Sequence, residues 1–500
     1  MGMSQMKPNA FLLPVISLSL MAVVSAVSGL NVALPSIAVD TGASQTELTW
    51  IVDAYTVVFA GLLFLAGAIG DKYGRKLLLI LGLLVFGGAS SVGMFVSDPQ
   101  MLILVRMVMG VGAAAVMPST LSVITTSFET SERAKAVGIW VGVAGGGAII
   151  GLFGSALLLE YYSWNSFFAL NVGLAAMGCI GTILVVKEST EHQGGGLDWI
   201  GGLLVSGGVA ALVFGIINGP EAGWYTTNTY LAFGFGITSL VVFVVWELLH
   251  KNPLLDPRLF GNRAFSAGAL SILVQFFGQF GFIFVSIQYL QFVVGYSAWE
   301  AALHLLPLPL FLLPTARLAG QYAKNIPQKY MGSAGLIFFG AGMWMISLQT
   351  ASFDLTQWIV ALGIYGIGMG LAATPATTAI MSSLPDSKQG VASAVNDIAR
   401  EFGSAMGIAI LGAALTDTYA TGMADVASKL PSQMADKVTR TIAFTKMDPP
   451  QMLAPMWDTL VSTANDSFAL GMTNALHIGA YVAFATALLV LIIAPAKQQA

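Results

Sequence analysis

Charged residues are scarce in this chain. Asp, Glu, Lys and Arg make up only 9% of its 500 residues, whereas about a quarter of the residues in a soluble globular domain are charged. Hydrophobic residues make up 56% of the sequence. This composition excludes a soluble globular protein, because a chain with so much apolar sequence needs lipid as its solvent.

Signals for several other kinds of chemistry are also missing. Cys179 is the only cysteine and lies in an apolar run, which excludes a disulfide framework and a thiolate metal site. The net charge of −4 provides no basic surface for nucleic acid. The sequence contains no G-x-x-x-x-G-K-[ST] phosphate loop, metal-ligand cluster or nucleophile and base pairing. We therefore expect neither an enzyme nor a bound cofactor or metal.

Apolar runs near 20 residues recur along the whole chain, and each is long enough to cross about 30 Å of hydrocarbon. Backbone in lipid must satisfy its own hydrogen bonds, so these runs are predicted to be helices; the alternating segments of a barrel are absent. The first run follows only Lys7 and lacks a small-residue cleavage site, which favours a helix over a removed signal peptide. We predict an all-α integral membrane protein with fourteen spans, at residues 11–37, 50–70, 77–96, 101–124, 135–159, 164–186, 198–219, 229–249, 264–293, 298–316, 331–350, 356–384, 391–416 and 467–494.

Positive charges predict the orientation of these spans. With the N-terminus inside, the short outer loops contain no Lys or Arg, and outer positive charges occur only in segment 417–466, which is long enough to cross regardless of charge. The predicted inner side then holds Lys72, Arg75, Lys76, Arg133, Lys135, Lys187, Lys251, Arg258, Arg263, Arg317, Lys324, Lys329 and Lys388. We expect a multi-pass protein of the cell (inner or plasma) membrane with both termini in the cytoplasm.

An internal repeat divides the chain. Aligning Pro118 with Pro375 superposes GVGAAAVMPSTLSVITTSFETSERAKAVG on GIGMGLAATPATTAIMSSLPDSKQGVASAV, an offset of 375 − 118 = 257 residues. Predicted helices 4 and 5 thus recur as helices 12 and 13, although similar Gly/Pro composition alone is the alternative explanation. We predict a six-helix bundle in residues 1–190, an inserted helix pair in 191–262 and a second six-helix bundle in 263–500. Parallel repeats of this kind are typical of transporters that bind substrate between their halves.

A charged loop lies between predicted helices 2 and 3. Its sequence GAIGDKYGRKLLL holds Gly67, Asp71, Gly74, Arg75 and Lys76, and it resembles the G-x-x-x-D-[KR]-x-G-R-[KR] loop of the major facilitator superfamily at every defined position. The glycines permit a tight turn, and the acid has the charge to pair with a basic group or to cap a helix end of the other bundle. We predict a loop that latches one conformation; a charged turn that only orients the helices is the alternative.

Further sequence resembles one branch of this family. Predicted helix 1 ends in GLNVALPSIA, which is similar to the Asn-x-Ala-Leu-Pro signature of the fourteen-span drug/proton antiporters, and the inserted pair also looks like that branch. The resemblance covers nearly the whole chain. It implies the major facilitator fold and export of amphipathic, often cationic compounds by alternating access. The proton gradient would supply the energy, and the partners of a monomer would be a small amphipathic substrate, protons and the lipid bilayer.

Two charged residues lie at similar depth in predicted helices 2 and 4. Arg106 in LILVRMVMGVG matches the intramembrane arginine of the superfamily, and Asp53 stands in WIVDAYTVVFAG. A charge in a membrane helix needs a partner, so we expect these two side chains to pair. Proton handling and purely structural pairing are both open for this pair.

The sequence departs from the drug-exporter pattern at two places. Quaternary-ammonium exporters carry an Asp nine residues before the Pro of the helix 1 signature, where this chain has Ala26. The antiporter signature of helix 5 keeps its first glycines but has Leu152 in place of the proline, so close helix packing is expected without a kink. These departures leave a narrower cargo, such as an endogenous metabolite or lipid, as an alternative to drug export.

Acids of predicted helix 13 are the remaining candidates for coupling. Asp397, Arg400 and Glu401 in NDIARE follow one another at i, i+3 and i+4, which places two carboxylates and a guanidinium on one helix face. Such a cluster has the charges to exchange a proton for a cation, and a satisfied ion-pair group is the structural alternative.

Polar and aromatic residues inside other helices are candidates for lining a cavity, because they suit amphipathic ligands. We include Asn31, Trp140, Gln275, Phe276, Gln279, Phe280, Gln288, Trp344 and Asn396. Packing against lipid is the alternative for the Phe residues. Segment 417–466 is expected to form a hairpin over the outer mouth, or to be disordered.

Overall fold

Helices make up the fold of this chain. The computed structural model describes residues 11–128, 130–190, 198–251, 253–322, 326–384, 389–449 and 451–496, and no strand occurs in these ranges. The helices are α1 Leu12–Thr41, α2 Gln45–Tyr73, α3 Arg75–Gly93, α4 Pro99–Ser127, α5 Thr130–Tyr161, α6 Ser166–Val185, α7 Trp199–Ala222, α8 Thr227–Leu249, α9 Arg263–Gln288, α10 Ala298–Leu303, α11 Pro307–Tyr322, α12 Gln328–Ile346, α13 Leu355–Ser382, α14 Gln389–Ala427, α15 Ser432–Arg440 and α16 Trp457–Ile493.

Twelve segments among the described residues are long and apolar enough to cross a membrane. They comprise α1 to α4, α6 to α8, α9 with its following turn, α10 with α11, α13, α14 and α16. The helix α5 contains a shorter apolar helical segment, Gly147–Tyr161, and α12 spans 19 residues. The predicted all-helical membrane fold is confirmed.

Three predicted spans differ from the observed helices. The span predicted at 298–316 is two helices, α10 and α11, and the break precedes Pro307, whose ring and missing N–H cannot continue a preceding helix. The helices α14 and α16 are 39 and 37 residues long, well beyond the predicted boundaries at 416 and 467. At 1.5 Å per residue a 39-residue helix reaches about 58 Å, so both helices extend outside a hydrocarbon layer of about 30 Å.

Contacts between loops define two ends of the bundle. At one end Lys76 donates to the carbonyl of Ile183, and at the other Asn165 donates to the carbonyl of Met94. We call the first the inner end and the second the outer end, following the prediction from positive charges. The described part of segment 428–456 lies at the outer end, since Arg440 forms an ion pair at 3.5 Å with Glu221, next to the turn between α7 and α8.

The outer segment packs onto the bundle. After α15 the chain forms a 3-10 turn, Ile442–Lys446, in which Ile442, Ala443 and Phe444 are buried. This turn contacts both α1 and α16. Following the predicted repeat, we call α1 to α6 the first half and α9 to α16 the second half. The ring of Phe444 lies against Trp457, with centroids 5.8 Å apart. The described part of this segment therefore forms ordered structure over both halves, as expected for a hairpin rather than for disorder.

Glycine contacts hold corresponding helix pairs together in the two halves. In the first half Gly112 of α4 packs against Gly82 of α3, and in the second Gly368 of α13 packs against Gly335 of α12. The interior prolines Pro118 and Pro375 lie in the same α4 and α13. The repeated helices thus approach their neighbours in the same way, because a small residue lets two backbones come close in lipid.

The inserted pair bridges the halves. The two helices α7 and α8 pack on each other, and α7 also contacts α2 and α14. Most of α8 faces outward, with large apolar side chains such as Leu231, Phe235 and Val241 exposed. In a membrane protein these exposed side chains contact lipid tails.

The close contact at Gly112 leads to a testable prediction. A Cβ at this position would lie 2.7 Å from the Gly82 carbonyl oxygen and from the Phe86 backbone nitrogen, and backbone cannot move aside as a side chain does. We expect Gly112→Ala to destabilise the protein by about 1–3 kcal/mol and to lower its melting temperature in detergent.

Gly88→Ala on α3 is the matched control. A Cβ at Gly88 meets nothing within 4 Å, and alanine favours a helix over glycine by about 1 kcal/mol. The control should therefore melt at or slightly above the wild-type temperature. Equal melting temperatures for the two variants would contradict close packing at Gly112.

Candidate binding cavity

A cavity of ≈ 540 Å³ lies between the two halves. Its walls come from α1, α2, α4 and α5 on one side and from α9, α11, α13 and α14 on the other. Most of the lining is apolar, including Val27, Phe59 and Leu152 of the first half and Ile283 and Leu312 of the second. The volume falls within the range of about 300–1,000 Å³ that encloses a drug-sized molecule.

Few polar side chains line this cavity. They are Ser28 of α1, Gln279 of α9, and Arg400 and Glu401 of α14. The side-chain oxygen of Gln279 and the Nε of Arg400 are buried and have no hydrogen-bond partner among the described residues. Buried polar atoms usually find a partner, so these two atoms are candidates for contact with a ligand.

Arg400 organises the polar side of the cavity. Its guanidinium lies 4.7 Å from the ring centre of Phe276, and one of its nitrogens lies 3.8 Å from Asp397. Phe276 and Phe280 are stacked, with centroids 6.0 Å apart and planes inclined by 21°. The guanidinium is thus neutralised by one carboxylate and rests on an aromatic ladder, which fixes its direction.

Glu401 differs from Asp397 in its surroundings. Asp397 is 7% exposed, contacts Arg400 and does not line the cavity. Glu401 lines the cavity, and among the described residues it neither accepts a hydrogen bond nor forms an ion pair. The predicted three-residue cluster therefore presents one uncommitted carboxyl group to the space between the halves.

The two halves meet at the outer end of the cavity. Gln291 after α9 donates to the carbonyl of Val32 in α1 at 3.0 Å. Phe153 of α5 meets Trp299 of α10 edge to face, with centroids 6.1 Å apart. Gly412 of α14 packs against Thr49 of α2. These contacts close the outer side in this conformation.

The expected pairing of Asp53 with Arg106 is wrong. Both side chains are fully buried, but the guanidinium donates to the carbonyls of Ile51 and Ala26 and lies 4.3 Å from the ring centre of Tyr55. Neither carboxyl oxygen of Asp53 has a hydrogen-bond partner among the described residues. The two residues share a depth in the membrane, yet helix rotation directs their side chains apart.

Three of the nine candidate lining residues line the cavity, namely Phe276, Gln279 and Phe280. The other six pack elsewhere. Trp140 donates to Thr120, Trp344 stacks on His477, Asn396 accepts from Thr377, and Asn31, Gln275 and Gln288 each donate to a carbonyl four residues earlier in their own helix. Such bonds within one helix satisfy the N–H groups of these side chains in lipid. A sequence pattern does not reveal which polar side chains bond in this way.

The charged loop is tied to the end of α6. Gly74 has a φ of +128°, which glycine adopts without strain. The carboxylate of Glu188 accepts hydrogen bonds from the backbone N–H groups of Lys76 and Leu77, both at 3.0 Å, and so caps α3. Sequence reasoning missed Glu188, although an acid in the next inner loop is suited to this helix start.

The other residues of the predicted loop are less informative. The Asp71 side chain lies outside the described residues, while Gly67 lies within α2 near Pro118. The latch itself stays a prediction.

The surroundings of Asp53 can be tested by substitution. Breaking a buried ion pair by removing one partner costs about 3–5 kcal/mol. Because Asp53 has no cation partner here, we expect Asp53→Asn to leave the melting temperature unchanged. Asp98→Asn, at an exposed helix start, is the matched control. A fall of several degrees specific to Asp53→Asn would show that the carboxylate is paired after all.

Known proteins resemble the chain in both fold and sequence. A bacterial homologue of the human lysosomal transporter Spinster, solved in an inward-facing and unoccupied conformation, superposes with a TM-score of 0.69 at 15% identity and covers 98% of this chain and 99% of that one. A POT family transporter in complex with a thioalcohol-conjugated peptide superposes with a TM-score of 0.63 at 14% identity and covers 96% of this chain and 95% of that one. At these identities the likeness concerns the fold alone.

Relatives by sequence include the puromycin resistance protein pur8 of Streptomyces alboniger, 32% identical over 79% of both chains. The multidrug efflux pump LfrA of Mycolicibacterium smegmatis is 30% identical over 92% of this chain and 91% of that protein. The methyl viologen resistance protein SmvA of Salmonella typhimurium is 30% identical over 79% and 80%. The profile of the Major Facilitator Superfamily matches residues 16–408, and the chain therefore belongs to this superfamily of membrane transporters.

Proposed function

We propose that this protein exports amphipathic cations, drugs among them, in exchange for protons. Its relatives are named for efflux of several drugs or for resistance to puromycin and methyl viologen. The observation that carries the proposal is the cavity between the halves, which combines apolar walls with the uncommitted carboxyl group of Glu401.

The cavity suits both parts of an amphipathic cation. Its apolar walls and the stacked rings of Phe276 and Phe280 accept a hydrophobic body. The carboxylate of Glu401 attracts the positive charge, and the oxygen of Gln279 can accept a hydrogen bond from it. Arg400 reduces this attraction without cancelling it, since Asp397, Arg400 and Glu401 together carry a net charge of −1 when both acids are ionised. Most of the lining is apolar and carries few polar groups that would select one molecule, which favours a broad range of substrates over one metabolite.

The same carboxyl group offers a basis for coupling. When Glu401 is ionised it binds a cation, and when it is protonated it is neutral and no longer does. Proton and substrate therefore compete for one site, and exchange follows if the site faces one side of the membrane at a time. Asp397 and Arg400 form an ion pair on the helix face that carries Glu401. Asp53, whose carboxyl oxygens have no hydrogen-bond partner among the described residues, is a second candidate for carrying a proton.

Fourteen spans follow if α5 and α12 also cross the membrane. With 32 and 19 residues they reach about 48 Å and 28 Å, close to or above the hydrocarbon thickness of about 30 Å. We propose two six-helix bundles, 1–190 and 263–500, joined by the inserted pair in 191–262. An even number of spans places both termini on one side, and the distribution of Lys and Arg favours the cytoplasm. We further propose the cell membrane as the location and a monomer as the working unit.

Alternating access would rock these bundles about the cavity. The outer contacts at Gln291, Phe153 and Gly412 hold the present conformation closed outside. Substrate would then enter from the inner side. The loop at Gly67, Asp71, Gly74, Arg75 and Lys76 would latch one of the two states.

A substitution at Glu401 tests the cation site. Losing a buried hydrogen bond to a charged group costs about 1.5–3 kcal/mol, which is a loss in affinity of about tenfold to a hundredfold. We expect Glu401→Gln to weaken puromycin binding by at least about tenfold with an unchanged melting temperature. Glu160→Gln, an exposed acid at the end of α5, is the matched control and should bind like wild type. Equal binding by both variants would remove Glu401 from the site.

Coupling needs a separate measurement. Puromycin or methyl viologen is added outside liposomes that contain the purified protein. We expect the substrate to enter the lumen and protons to leave it, and we expect Glu401→Gln to abolish that proton flux. Transport that continues unchanged after the pH gradient is collapsed would refute proton exchange. Stabilisation by a single metabolite and by none of a panel of lipophilic cations would instead favour the narrow cargo.

A further inference from the structure

A second cavity lies on the outside of the second half, away from the central one. It is a groove of ≈ 270 Å³ between α11 and α12, with Leu371 of α13 at its floor. The remaining lining comes from Leu318, Ala319, Tyr322, Ile326, Tyr330, Met331 and Ala334. All side chains except the two tyrosine hydroxyls are apolar. The groove is smaller than the roughly 300–1,000 Å³ of a pocket for a drug-sized ligand, so its size suits a thin apolar chain.

The groove opens towards lipid near the inner end. Its rim residues Leu318, Tyr322, Ile326 and Tyr330 are 41–54% exposed, and they flank the inner turn between the two helices. Tyrosine is favoured at the level where hydrocarbon meets lipid headgroups, because its ring is apolar and its hydroxyl is polar. The groove therefore begins at the headgroup level and runs into the hydrocarbon layer.

The charge around the groove has a single sign. Between Glu300 and Asp354 the chain contains no acid, but it contains Arg317, Lys324 and Lys329. Arg317 is exposed on α11 and immediately precedes Leu318, which lines the groove. The ammonium group of Lys329 lies 6.0 Å from the ring centre of Tyr330. Lys324 lies outside the described residues. The other described inner loops mix both signs, as at Glu188 beside Lys76 and Asp256 beside Arg258.

We infer that this groove binds an anionic phospholipid of the inner leaflet. One acyl chain lies between α11 and α12, and the headgroup phosphate lies against Arg317 and Lys329. An uncharged lipid would fill the groove equally well but would leave the basic residues without a partner. The helix α11 also lines the central cavity through Leu308 and Leu312, so the bound lipid contacts a helix that encloses the transport pathway. The inference does not depend on which substrate is exported or on its coupling.

Lipid titration of the purified wild-type protein tests this inference. We expect dioleoyl phosphatidylglycerol in detergent micelles to raise the melting temperature at lower concentration than dioleoyl phosphatidylcholine does. Glycerol phosphate, which has the headgroup chemistry without acyl chains, should give no shift at the same concentration. Equal shifts with both lipids, or a full shift with glycerol phosphate, would overturn the proposal.

Two kinds of variant locate the site. A basic residue near an anionic headgroup contributes about a fivefold change in lipid affinity, so Arg317→Ala and Lys329→Ala should each weaken the preference for phosphatidylglycerol by about fivefold. Lys251→Ala, an exposed lysine at the same end of the bundle, is the matched control and should keep the preference. If the control loses as much as Arg317→Ala and Lys329→Ala, the effect is a diffuse surface charge and the groove is not the site.

Filling the groove tests the acyl chain. Ala334→Phe places a ring in the groove from α12, and Ala232→Phe makes the same change on lipid-facing α8. We expect co-purified phosphatidylglycerol, counted by native mass spectrometry, to fall by one molecule in the first variant and to stay unchanged in the second. Unchanged lipid in both variants would refute the proposal. A change of oligomeric state with Ala334→Phe would identify a second copy of the chain as the occupant, and displacement of the lipid by puromycin would identify the substrate; either result would also refute it.

Discussion

Lipid offers no hydrogen bonds to a protein backbone, and this constraint governs the whole structure. Every span is a helix because only a helix satisfies its own N–H and C=O groups within one segment. Many polar side chains follow the same rule. Ser19, Asn31 and Gln275 each donate to the carbonyl four residues earlier in their own helix. With no hydrophobic force between helices, close packing at glycines such as Gly112 and Gly368 holds them together.

Two of the exceptions to this rule lie together. The Nε of Arg400 and the oxygen of Gln279 lack partners, and both residues line the central cavity beside Glu401. Gln275 shares a helix face with Gln279 but is fully buried and bonded within α9. One helical turn thus separates a structural glutamine from one that meets the space between the halves. Polar groups that remain unsatisfied in a membrane are expensive, so these two atoms, which belong to residues that line the cavity, are candidates for contact with a ligand.

Much of the fold is predictable because hydrophobicity acts over whole spans of about 20 residues. The helical fold, the motif at Gly74 and the cluster around Arg400 all follow from the sequence. Details that depend on rotation or on distant residues do not. The pairing of Asp53 with Arg106 was wrong because depth along a helix says nothing about the direction of a side chain. The break before Pro307 was missed because hydrophobicity averaged over a whole span hides the effect of one proline. The cap from Glu188 was missed because its partner lies 112 residues away.

The inserted helix α7 touches both halves, but its two faces differ. Towards α2, the hydroxyl of Ser206 donates to the carbonyl of Gly61 at 2.6 Å. Towards α14, Val209 and Val213 pack with Ala405 and Ala409 in a small apolar cluster, which also includes Val57 of α2. A hydrogen bond to backbone fixes one register, whereas short aliphatic side chains permit several. If the halves move as proposed, we expect α7 to travel with α2 and shear to be concentrated on the face against α14, the helix that carries Glu401. In the proposed cycle the inserted pair would be a guide surface, along which the helix that carries Glu401 slides as the halves rock.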